Sequence, residues 1–137
     1  MILIGIDPGV NTGYAEYLPS EGKLLAVGTV KIHEAMATIR RAHERGESMR
    51  VLFEDARLRK WFGTKGREAL QGAGSVKRDC KIWDDFLRDL GVCFQMVGPQ
   101  SGATKWDAAR FAQVTGWTGR TSEHARDAAM LIWGRTK

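Results

Sequence analysis

The chain opens on a continuously apolar run, Ile2-Leu3-Ile4-Gly5-Ile6, that ends on Asp7-Pro8-Gly9. Such a run, stopped by turn residues, reads as the central strand of a sheet, Ile2–Asp7. Its last residue is a carboxylate at the tip of a buried strand, a placement that aims a charge into an open site. Two further acids repeat the arrangement: Glu54 closes the apolar run Val51-Leu52-Phe53, and Asp127 follows His124 by one helical turn. Three acids and a histidine, scattered along the chain, have the donor types to converge on one metal site.

The rest of the pattern supplies the frame. Strands Thr12–Leu18 and Leu24–Lys31 flank the turn Pro19-Ser20-Glu21-Gly22, and links this short imply antiparallel hairpins. A helix over His33–Arg45, with Met36 and Ile39 inward, is closed by Gly46, and Arg50–Glu54 is a fourth strand. A basic loop spans Ala56–Arg67. A long helix over about Glu68–Leu90 carries Ala73, Val76, Cys80, Trp83, Leu87 and Leu90 as one apolar stripe. Val92–Val97 is a fifth strand, Thr104–Val114 a short helix and Gly116–Arg120 a turn. A final helix, capped by Thr121 or Ser122, runs to about Arg135.

The order βββαβαβα predicts an α/β domain with a mixed five-stranded sheet flanked by helices. The first three strands are antiparallel, and the last two join parallel to the first through helical crossovers. Parallel first and fourth strands end at one sheet edge, which brings Asp7 and Glu54 together. His124 and Asp127 share a face at the start of a helix that can dock there.

At 137 residues, a single domain over residues 1–137 accounts for the chain. No apolar run approaches the roughly 20 residues of a membrane span, and the N-terminus lacks the pattern of a secretory signal. Cys80 and Cys93 have no metal-ligand spacing and read as reduced, partly buried thiols, so the expected location is cytoplasmic. A net charge of +5 favours a polyanionic partner.

Asp-Pro-Gly after the first strand, within this order of elements, resembles the ribonuclease H-like superfamily and, inside it, the RuvC-type Holliday junction resolvases. The carrying residues are Ile4-Gly5-Ile6-Asp7-Pro8-Gly9, Thr12-Gly13-Tyr14, Phe53-Glu54 and His124-Ala125-Arg126-Asp127-Ala128-Ala129, matching in order over essentially the whole chain. The resemblance implies a ribonuclease H-like fold, with Asp7, Glu54 and Asp127 as catalytic carboxylates. His124 stands at a position that is acidic in some members and His in others. It also implies metal-dependent cleavage of four-way branched DNA by a homodimer whose two sites nick opposite strands.

Phosphodiester cleavage needs a deprotonated water, charge stabilisation on the phosphorane and relief of the leaving oxygen. Two hard divalent ions about 4 Å apart, Mg²⁺ or Mn²⁺, can supply all three. Asp7 is then the bridging ligand, Glu54 holds one ion, and Asp127 with His124 holds the other. Ordinary roles exist for each: turn chemistry for Asp7, a solvated strand end for Glu54, and a helix-dipole partner in Asp127. Asp55, pointing oppositely to Glu54, is a rival ligand.

In the basic loop, Arg57, Arg59, Lys60, Lys65 and Arg67 surround Trp61 and Phe62 without an acid. Such cations neutralise phosphates, and an aromatic face stacks on an unpaired base. On the long helix Lys77, Arg78 and Lys81 precede Asp84, Asp85 and Asp89, against the macrodipole preference; a phosphate backbone beside the first half explains that order. Lys105 lies near where the resemblance implies a DNA-contacting lysine. The small residues Gly72-Ala73-Gly74-Ser75 permit close approach of another helix, compatible with a dimer.

Three other readings compete. A ribonuclease H cutting RNA–DNA hybrids uses the same metals. A non-catalytic nucleic-acid-binding module leaves the strand-end acids without a purpose. A sugar-kinase or actin-like ATPase shares the Ile-Asp-x-Gly opening but needs a second lobe that 137 residues cannot supply.

Overall fold

The computed structural model describes residues 1–58, 67–99 and 105–136, and of residues 67–73 the backbone alone. The strands are β1 (Ile2–Asp7), β2 (Asn11–Leu18), β3 (Lys23–Lys31), β4 (Met49–Glu54) and β5 (Phe94–Val97). Among the described residues, the helices are α1 (Ile32–Glu44), α2 (Arg67–Leu90), α3 (Ala108–Thr115) and α4 (Glu123–Ile132), and a 3-10 turn spans Ala56–Leu58.

The sheet runs β3-β2-β1-β4-β5. β1 pairs antiparallel with β2 and parallel with β4, so the apolar opening run is hydrogen-bonded on both sides. β2 pairs antiparallel with β3, and β4 parallel with β5, giving the mixed sheet that the element order predicts.

Strand alternation splits the core into two layers. Ile4, Ile6, Tyr14, Val51 and Phe53 face α1 and α2, where Ile39, Cys80, Trp83 and Leu87 meet them. Leu3, Ala15, Tyr17 and Leu52 face the other way, toward Phe111 and the Ala128, Ala129, Leu131 and Ile132 side chains of α4. Two glycines set the depth at which α4 lies. A Cβ on Gly5 would run into the carbonyl oxygen of Ala128, and one on Gly13 into that of His124. Glycine inside a strand marks this kind of backbone approach. Ala125, Ala128 and Ala129, fully buried, present the matching small face of the helix.

Several expectations are corrected. The fifth strand starts at Phe94, with Val92 and Cys93 in the approach to it. Helix α3 starts at Ala108 because Asp107 caps it, its Oδ1 accepting from Arg110 N at 2.8 Å. Helix α4 stops at Ile132, with Gly134 at φ 76° beyond it. In the α2 stripe Cys80, Trp83 and Leu87 are buried, whereas Val76 is exposed. Cys80 is buried but Cys93 is exposed, so the thiols are not alike. Among the described residues, no helix is long and apolar enough to cross a membrane.

Candidate active site

The parallel register of β1 and β4 sets Ile6 opposite Phe53, one residue short of each strand's final acid. Because Leu52 points to the α4 layer, alternation turns Glu54 to that layer as well. Asp7, two residues beyond Gly5, emerges on the same side. The turn after Asp7 is pinned by the buried Thr12, whose Oγ1 donates to the Gly9 carbonyl at 2.7 Å.

Helix α4 brings the other two groups. Its cap is Ser122, whose Oγ accepts from Ala125 N at 3.1 Å and lies 2.5 Å from Thr29 Oγ1 of β3. This fastens the first turn of the helix to the sheet. His124 Nδ1 lies 2.9 Å from Asp7 Oδ2. The imidazole is 58% exposed while the Asp7 side chain is only 14% exposed, so the ring forms a rim over a nearly covered carboxylate. One turn on, Asp127 Oδ2 accepts from Lys105 Nζ at 3.1 Å. Arg126 holds that lysine's surroundings in place. Its Nε donates to the Trp106 carbonyl at 3.2 Å and its Nη1 to Thr121 O and Oγ1 at 2.9 and 3.0 Å.

The electrostatics bind these groups into one neighbourhood. Burial pushes the Asp7 carboxyl above its ordinary range and the Asp127 charge adds to that; the His124 hydrogen bond and the Lys105 charge pull the other way without cancelling it. For Lys105, burial disfavours the charge, but Asp127 outweighs it and Glu54 and Glu123 help, so the ammonium is held charged more firmly than usual. The site is a surplus of carboxylates that draws in a cation.

That surplus, made of oxygen donors and one imidazole, fits a hard divalent ion in its donor chemistry. Among the described residues, no three His, Cys, Asp or Glu side chains already converge as an ion's ligand shell. Asp127 is instead engaged by Lys105, and Asp7 by His124.

Asp55, the rival to Glu54, points to the opposite layer. It is fully buried on the α2 side, where Arg57 clamps it. Arg57 is accordingly turned inward: its Nη2 lies 2.6 Å from Asp55 Oδ2 and 3.0 Å from Asp84 Oδ2. Arg59, Lys60, Trp61, Phe62 and Lys65 lie outside the described residues, and Arg67 contributes only the backbone start of α2. Lys77 is half-buried, and Arg78 is exposed. Lys81 is exposed too and pairs with Asp85 at 2.8 Å. The unusual charge order of α2 thus has an internal reason in part, since Asp84 and Asp85 serve Arg57, Arg88 and Lys81.

No family model matches the chain, and no curated protein matches it. Among solved structures, RuvC of T. thermophilus in complex with a Holliday junction substrate is similar over 93% of this chain and 88% of that one, with a TM-score of 0.54 and 20% identity. The likeness establishes the fold as that of RuvC, the ribonuclease H-like arrangement of a mixed five-stranded sheet between helices.

Proposed function

We propose that this protein is a divalent-metal-dependent endonuclease that cuts branched DNA, with the four-way junction as its substrate. One observation carries the reading: Asp7 and Glu54 leave adjacent parallel strands on the layer over which Gly5 and Gly13 admit α4, and α4 carries His124 and Asp127. Asp7, Glu54, Asp127 and His124 are the residues that would hold Mg²⁺ or Mn²⁺, two ions per site. Bound there, the metal supplies Lewis-acid polarisation of the phosphodiester and a water acidified enough to attack it.

The chain's own residues do the rest. His124 braces Asp7 from the open side through its Nδ1, so the carboxylate does not swing to solvent. Lys105 neutralises Asp127 until another cation takes that place, and its ammonium is then free for a backbone phosphate. Lys77, Arg78 and Lys81 on α2 are further candidates for phosphate contact, with Lys81 available only on leaving Asp85; by sequence Arg59, Lys60, Lys65 and Arg67 offer more charge and Trp61 and Phe62 aromatic faces. Arg57, paired with Asp55 and Asp84, is not among them. Symmetric nicking of a junction requires two sites, hence a homodimer.

The likeness to a RuvC solved with a Holliday junction supports the substrate choice. The test is incubation with a four-way junction, a duplex, a flap and an RNA–DNA hybrid, with Mg²⁺, Mn²⁺ or EDTA. Paired, metal-dependent incisions in the junction are expected. Preferential cutting of the hybrid would replace this reading with a ribonuclease H, and binding without cutting in either metal would leave a nucleic-acid-binding module.

A further inference from the structure

Immediately beyond Glu54 lies a network of ionic side chains centred on Asp55, Arg57 and Asp84. Asp55, fully buried, accepts from Arg57 N at 2.9 Å, from Arg57 Nε at 2.9 and 3.0 Å and from Arg57 Nη2 at 2.6 Å. The same Nη2 donates to Asp84 Oδ2 at 3.0 Å, and Asp84 Oδ1 accepts from Arg88 Nε at 2.5 Å. Asp55 N donates to the Val97 carbonyl at 2.8 Å, and Cys80 Sγ of α2 lies 3.6 Å from the Glu54 carbonyl oxygen. The strand tip is thereby gripped from α2 on one side and β5 on the other.

Two physical arguments give this grip a purpose. A buried ion-pair network is a poor source of stability, because desolvation consumes most of its Coulombic gain and packed apolar side chains serve as well. What it does supply is direction, since a guanidinium fork bonded at two edges of a carboxylate fixes orientation as well as distance. Successive strand residues point to opposite faces, so fixing Asp55 on the α2 side fixes Glu54 on the α4 side. Burial pushes the Asp84 carboxyl upward, yet the Arg57 and Arg88 bonds outweigh it and keep it below its ordinary range and therefore charged.

The geometry points to Arg57 and Asp84 as positioning residues that hold the Glu54 carboxylate aimed at the metal site. This inference rests on the nuclease reading above. It also explains why the first cation after Glu54, only partly exposed, is directed at Asp55 and Asp84, and why Asp84 sits in the half of α2 that the helix dipole disfavours.

The test uses the full chain and Asp84→Leu, Asp84→Asn and Arg57→Lys, each well below its own melting temperature as followed by circular dichroism. Mn²⁺ binding is measured by electron paramagnetic resonance, and junction cleavage is resolved into kcat and KM. Loss of an outer-shell support typically costs roughly 10–100-fold in metal affinity or activity. Asp84→Leu and Arg57→Lys are expected to lose that much in kcat and to bind Mn²⁺ more weakly, with junction KM within about twofold of the parent. Asp84→Asn, which keeps an acceptor for Arg57, falls between. If Asp84→Leu does not fold, the other two variants decide. Folded variants with parental Mn²⁺ affinity and kcat would overturn the inference alone. A parent chain that neither binds Mn²⁺ nor cleaves would overturn the nuclease reading and this inference with it.

Discussion

Asp7 is the most constrained residue of the site: nearly covered, beside another acid, and bonded to an exposed imidazole. Its carboxyl is raised by burial and by Asp127, so in the folded, metal-free protein its ionisation opposes folding. The stability it contributes is complete below the unfolded carboxylate value of about 3.9 and is lost as pH rises through the raised folded value. Asp7→Asn should therefore melt higher than the parent at neutral pH in EDTA, the advantage shrinking as pH falls toward 4 and cleavage being abolished throughout. A lower melting temperature at neutral pH would show that the bond to His124 outweighs the burial penalty. His124 itself differs from the three carboxylates in softness, because imidazole is a poorer partner than carboxylate for Mg²⁺ and a relatively better one for softer first-row ions. Single-turnover junction cleavage should then run at least as fast in Mn²⁺ as in Mg²⁺, with His124→Asp shifting preference toward Mg²⁺ and His124→Ala severely impaired in both. Normal cleavage by the Ala variant would reduce His124 to a helix-start residue.

Helix α4 is where sequence and structure inform each other most. Its docking depends on two glycines that lack the side chain to keep it away, so Gly13→Ala should force α4 off β2 and separate His124 and Asp127 from Asp7. Overpacking typically costs about 1–3 kcal/mol, and here the obstacle is a backbone carbonyl rather than a flexible side chain, which favours the upper end. A melting curve and a Mn²⁺ titration on the same variant check this; parental values in both would mean that the helix can retreat without disturbing the site. The sequence already made the strands legible through apolar runs ending in acids, and the parallel pairing of β1 with β4 followed from chain order. It did not disclose why Gly5 and Gly13 occur inside strands, although glycine between apolar residues was the available signal. Nor did it disclose the Asp55–Arg57–Asp84 network, because a basic segment beside a proposed nucleic-acid surface gives no sign that one of its cations faces inward. The pairing of residues 57 and 84 is a long-range contact that local pattern does not encode. Helix α3 begins later than its sequence pattern predicts for a local reason, the capping by Asp107.

For the whole molecule, the proposed function raises the question of which positive charges would meet DNA. The net charge is +5, but charges neutralised internally release no counterions on binding. Arg57 is spent on Asp55 and Asp84, and Arg88 donates to Asp84, so neither should enter the salt dependence of junction affinity. Arg59, Lys60 and Lys65 have no such internal acid within their own basic stretch of sequence, which is why their charges are assigned to phosphates. Each phosphate contact contributes about 0.9 to the slope of log affinity against log salt, so replacing these three with Ala should flatten it by roughly 2 to 3 and weaken binding most at low salt. Arg57→Met should leave the slope alone even where it harms cleavage, because it removes a charge that the bound DNA does not meet. Filter binding of a four-way junction from about 50 to 200 mM salt separates the two cases. An unchanged slope in the triple variant, or a flattened one in Arg57→Met, would reverse the assignment of charge between the interior and the DNA face.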